Sequence, residues 1–106
     1  MSRRPLMVAN WKMNGLQRDG AALAQAILQG LPSLPESQPQ LVICPPATLL
    51  APIGAVLSGT QVALGGQDCH AKPSGAYTGD VAAGMLADLG CRYVIVGHSE
   101  RRAMHA

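Results

Sequence analysis

Asn10, Trp11 and Lys12 follow directly on the apolar run LMVA, and His98, Ser99 and Glu100 follow on YVIVG. An asparagine amide both donates and accepts hydrogen bonds, and a lysine ammonium is a compact point charge. Placed together after a strand, with Trp11 to anchor the turn, they suit an anionic or carbonyl-bearing small molecule. Taken alone, Lys12 reads equally well as a solvated surface charge. His98 also has two readings. It is either a histidine packed at a loop start against backbone, or a histidine facing a helix N-terminus. If SERR opens a helix, Ser99 is a good N-cap and the positive helix end disfavours imidazolium. His98 would then be neutral and could donate a hydrogen bond to a carbonyl oxygen gaining negative charge. Glu100 would sit in the first helical turn, complementing the dipole, or would pair with a nearby arginine or with Lys12.

Other chemistries fit less well. GHSER is not the G-x-S-x-G elbow, and adjacent His and Ser side chains rarely point at each other, which argues against a serine hydrolase. GGQDCHAK lacks the spacing of a phosphate-binding P-loop. DCH sets Cys69 beside His70, but no C-x-x-C or H-x-x-x-H spacing supports a zinc site. GAYTGD is rich enough in glycine to touch a phosphate, and as an exposed loop it suits contact with a protein equally.

Positioning these groups requires a scaffold, and 106 residues allow one ordinary domain. The chain has no Phe, one Trp and two Tyr among 48% apolar residues, a texture of small aliphatic side chains. Such a composition suits parallel strands covered on both faces. Four continuous apolar runs are expected as strands: Leu6–Ala9, Leu41–Cys44, Val62–Gly65 and Tyr93–Val96. Helices are expected over Asp19–Leu31, Thr48–Leu57 and Asp80–Leu89. The first carries Ala22, Leu23, Ala26, Ile27 and Leu31 near one face; the last has Gly90 where a C′ glycine belongs. PSLPESQPQ is a proline-broken connection. The alternation predicts repeated βαβ units, hence an α/β fold with a parallel sheet. The polar clusters after strands one, three and four should then converge on one sheet edge.

Net charge is +2, with no basic stripe interleaved with aromatics, so nucleic acid is not an expected partner. No run approaches membrane-spanning length, and no membrane association is expected. Three widely spaced cysteines, Cys44, Cys69 and Cys91, read as reduced thiols of a cytoplasmic protein.

VANWKMNG, GAYTGD and YVIVGHSERR, in that order and spacing, resemble the triosephosphate isomerase family, and the resemblance covers essentially the whole chain. It implies a (β/α)₈ TIM barrel, of which 106 residues supply about four βα units, since a complete barrel takes roughly 250 residues. It implies interconversion of dihydroxyacetone phosphate and glyceraldehyde 3-phosphate through an enediolate, with no cofactor and no metal. Asn10 and Lys12 match the family's substrate-contacting residues, His98 its neutral histidine electrophile, and Glu100 a carboxylate implicated in positioning. Gln67 begins the loop that, in the family homodimer, reaches the partner subunit through Tyr77, Thr78 and Gly79. Asp80 replaces the usual glutamate, which pairs across that interface with the residue matching Arg101. The family's catalytic glutamate has no counterpart among the six carboxylates of this chain. The chain alone is therefore expected to be inactive, and to self-assemble or to complement a C-terminal half.

Overall fold

The computed structural model describes residues 6–31 and 40–96. Within them the chain runs β1 (Leu6–Asn10), α1 (Gln17–Gly30), β2 (Gln40–Cys44), α2 (Leu50–Leu57), β3 (Ala63–Gly66), α3 (Ala83–Asp88) and β4 (Tyr93–Val94). A short 3-10 turn, Ala47–Leu49, leads into α2. The strands form one sheet in the order β1-β2-β3-β4, and every pairing is parallel. This is the α/β topology the sequence predicts, with each strand beside its predecessor. Register sets Asn10 beside Cys44, and Gly66 beside Val94. The carboxyl ends of the strands therefore share one edge.

Side-chain alternation along the strands separates two apolar layers. Ile43 and Leu64 point toward the helices and join Ala24, Leu49, Leu50, Ile53, Leu57 and Leu86 in the main core. Val42, Cys44 and Ala63 point to the other face, where Tyr93 and Ile95 pack against them. The expectation of strands covered on both faces holds for β3, whose residues are all buried, and for most of β2. It fails for β1, where Leu6, Met7 and Val8 are 47, 57 and 49% exposed. Among the described residues β1 pairs only with β2, so its outer edge and much of both faces meet no neighbour.

The helices depart from expectation in instructive ways. The inner stripe of α1 is Gly20, Ala24, Ile27, Leu28 and Leu31, while Ala22, Leu23 and Ala26 lie outside it. A Cβ on Gly20 would come within 3.2 Å of Leu49 Cδ1 and 3.5 Å of Ile53 Cδ1. Close approach of α1 to α2 thus selects the smallest side chains for the contact, and an apolarity count favours the larger ones. Helix α3 begins at Ala83, not Asp80, because residues 77–80 are taken up by a tight turn in which Asp80 N–H donates to Tyr77 O at 2.9 Å. Its buried residue is Leu86; Met85 and Leu89 are exposed. Gly59 and Gly90, at φ +77 and +96, follow α2 and α3 in the left-handed conformation of a C′ glycine. The last strand stops two residues short of its expected end, β4 covering Tyr93–Val94 with Ile95 and Val96 outside it; the connection 32–39 and the helix expected to open at Ser99 lie outside the described residues.

Candidate functional site

The carboxyl edge of the sheet gathers the ends of β1, β2 and β3. Asn10 closes β1, and the chain turns at once. Trp11 N–H donates to Cys44 O at 3.0 Å, holding the turn against β2. Asn10 Oδ1 accepts the backbone N–H of Lys12 at 2.8 Å. Lys12 itself adopts φ 56, the only positive φ on a non-glycine residue among those described. Left-handed backbone is unfavourable for a residue with a Cβ and persists where surrounding contacts over-determine it. Those contacts come from Gln67, immediately beyond β3. Its Nε2 donates to Lys12 O at 2.7 Å and to Cys44 O at 3.0 Å. One side-chain amide therefore joins the exits of three strands. Asn14 Nδ2 donates to Trp11 O at 2.9 Å, and Trp11 packs on the main core, so the turn is anchored as expected.

Local sequence explains why Gln67 can reach. A Cβ on Gly65 would fall 2.7 Å from Cys44 Sγ, and one on Gly66 would fall 2.7 Å from Leu86 Cδ1. Two glycines thus let Cys44 and Leu86 press on β3 from opposite faces. The strand continues straight into Gln67 with its amide directed along the sheet edge. Cys44 is 1% exposed, and burial pushes its thiol up to about 11, with Cys91 adding to the effect. Burial also raises the Cys91 thiol. All three cysteines are free, as the sequence suggests.

Beyond Gln67 the chain forms a long exposed loop. Tyr77, Thr78, Gly79 and Asp80 form an exposed tight turn on its returning limb, and Gly79, at φ +94, supplies the left-handed backbone that the turn requires. The ring of His70 stacks on Tyr77 with centroids 4.0 Å apart, and its Nε2 lies 3.7 Å from Asp80 Oδ2. The structure joins Asn10 and Lys12, which were expected to act together, in one hydrogen-bonded unit with Gln67, which was not, and sets Tyr77 to Asp80 apart on the loop. His98, Glu100 and Arg101 lie outside the described residues. Gln67 was expected only to open the loop. Its bond to Lys12 spans 55 positions and depends on strand register, so the single local signal for it was its place directly after a strand. Among the described residues no group of three His, Cys, Asp or Glu side chains could hold a metal ion, and no helix is long and apolar enough to cross a membrane.

Comparison with known proteins extends this picture. Residues 5–106 match the family model described as triosephosphate isomerase. The triosephosphate isomerase of Gluconacetobacter diazotrophicus is 56% identical over 102 residues, covering 96% of this chain and 41% of that protein. That of Afipia carboxidovorans is 57% identical over 102 residues, covering 96% of this chain and 40% of the relative. The crystal structure of the Bartonella henselae triosephosphate isomerase superposes with a TM-score of 0.86 at 43% identity, covering 96% of this chain and 41% of that one. The chain thus spans about two fifths of the length of the relatives it matches.

Proposed function

The chain belongs to the triosephosphate isomerase family, and on that premise we propose that its 106 residues form the N-terminal half of a TIM barrel and hold part of the site that interconverts dihydroxyacetone phosphate and glyceraldehyde 3-phosphate. The observation that carries this reading is the anchored, left-handed Lys12 at the carboxyl edge of the sheet, clipped by Asn10 and Gln67. A cation held on strained but fully bonded backbone is pre-set in position, which is what electrostatic catalysis requires. Lys12 offers its positive charge to the phosphate and carbonyl of a phosphorylated triose, and Asn10 contributes to the same pocket. By its match to the family motif, His98 donates to the carbonyl oxygen as the enediolate forms, and Glu100 positions the substrate beside it. Within this chain these residues bind and polarise. The base that moves the proton between carbons has no counterpart in its sequence.

Removal of a general base costs roughly 10²- to 10⁴-fold in rate. The purified chain alone is therefore expected to show no isomerase turnover above background. Mixed with a separately produced C-terminal remainder of the Gluconacetobacter relative, it is expected to give turnover that rises with added partner and saturates. Turnover by the chain alone, or a mixture that binds without any turnover, would contradict this reading. The activity is that of a cytoplasmic metabolic enzyme working as a homodimer, with Tyr77, Thr78, Gly79 and Asp80 in the loop that meets the second copy.

A second reading, a non-catalytic half-barrel that self-assembles, is favoured by the exposed apolar β1 and by Val96, 67% exposed beside the short β4. Unpaired edge strands and an uncovered apolar face both promote association. Light scattering over a wide concentration range is expected to show a dimer or larger species. A monomer at every concentration would remove this reading and leave the split enzyme.

A further inference from the structure

His70 lies at the root of the loop between β3 and α3 and touches its beginning, middle and end. Its backbone N–H donates to Val81 O at 2.8 Å, and it bridges to Ala82 in parallel fashion, closing the loop at its base. Its ring stacks on Tyr77 at 29°. Its Nδ1 accepts the backbone N–H of Lys72 at 3.0 Å. A ring nitrogen that accepts carries no hydrogen, so the proton of the neutral imidazole is on Nε2, the atom that faces Asp80 Oδ2 at 3.7 Å.

From this geometry we propose that His70 is a proton-operated latch on the 70–72 turn at the root of the loop: it holds the Lys72 N–H while Nδ1 is bare and releases it when the ring takes up a second proton, the backbone closure at Val81 staying in place. Protonation puts an N–H on Nδ1 opposite the N–H of Lys72, which removes the bond and sets two donors against each other. The titratable groups in contact with the ring are Asp80 and Tyr77; Asp68, Cys69 and Lys72 flank it along its own segment. The Asp80 contact is long, and its partners are 26 and 39% exposed, so solvent screens it. The bond to Lys72 is short, and protonation abolishes it outright. The Lys72 bond is solvent-exposed as well, so its loss frees that one N–H to water and leaves the backbone closure of the loop intact.

The test is amide hydrogen exchange by NMR on the 106-residue chain, with the His70 ring nitrogens followed in the same samples, at about pH 8 and about pH 5. At the higher pH the ring is expected as the Nε2–H tautomer with a protected Lys72 amide. At the lower pH the protection factor of that amide is expected to fall roughly tenfold, the equivalent of one hydrogen bond, while the amides of Val42 and Ile43 keep theirs. In His70→Asn the side-chain oxygen can still accept from Lys72 but does not titrate, so protection is expected at both values. Asp80→Asn should leave the pH response in place. A Lys72 amide unprotected at high pH overturns the latch. So does protection that is unchanged or greater at low pH, or an equal loss in His70→Asn.

Discussion

Lys12 at φ 56 occupies a conformation that costs a non-glycine residue about 1–3 kcal/mol, and the hydrogen bonds around it, from its own N–H to Asn10 Oδ1 and from Gln67 Nε2 to its carbonyl among them, offset that cost. Of these, Gln67 is the member whose removal is most informative, because its one amide serves carbonyls on two strand exits. Gln67→Leu leaves Lys12 O and Cys44 O without that donor. It is expected to lower unfolding stability by about 1–3 kcal/mol, measured as a shift in the urea midpoint. A midpoint within error of the parent would show that the clip does not hold the turn. Lys12→Gly removes the steric conflict at that φ and is expected to be neutral or slightly stabilising in the same measurement. Cys44 supplies a pH signature. Its folded thiol is pushed up to about 11 by burial, above the unfolded value, so the folded chain holds this proton more tightly. Stability from this group is fully present below the unfolded thiol range, near pH 8.5, and is lost as pH rises toward 11. Urea titrations in that window should lose about 1–3 kcal/mol, and Cys44→Ala should lose less. An identical loss in Cys44→Ala would assign the effect to other groups. Asn10 and Lys12 could be picked out of the sequence because they directly follow an apolar run. The role of Gln67 could not, since it arises only when three strands align in register.

Among the elements, the first three strands were legible to within a residue at each end, because continuous apolar runs bounded by polar clusters have few other interpretations, whereas the fourth ends at Val94, two residues early. The helices were legible in place but not in facing. Apolar counting put Leu23 on the inner side of α1, whereas the contact with α2 admits only Gly20 and Ala24. Packing distance, a property of two helices together, decided that stripe. Helix α3 was read three residues too long at its start because the turn closed by Asp80 N–H and Tyr77 O competes with helix there. Gly20→Val tests the α1–α2 approach. A branched side chain 3.2 Å from Leu49 Cδ1 must push the helices apart or distort rotamers, at an expected cost of about 1–3 kcal/mol. Thermal unfolding checks it: a Tm equal to the parent's would mean that the helices are not in close contact in solution.

For the whole molecule, the distribution of exposure matters more than any single contact. The buried layer is continuous around β2 and β3 and thins toward β1, whose apolar residues are half exposed. Among the described residues the sheet is covered at its centre and open at the β1 margin, which leaves room for a further strand to pair there. The site divides the same way. The cation at the carboxyl edge is built by contacts internal to this chain, and on our reading the groups that complete the chemistry come from elsewhere. The most direct measurement is therefore made in the mixture of this chain with a C-terminal remainder, using substitutions confined to this chain. Steady-state isomerase turnover is recorded for the parent, Lys12→Met and His98→Gln, each shown by light scattering to associate equally well. If this chain supplies the cation and the electrophile, both substitutions lower kcat by roughly 10²- to 10³-fold with assembly unchanged. Turnover that survives both substitutions would mean that the chain is a scaffold only, and would contradict the assignment.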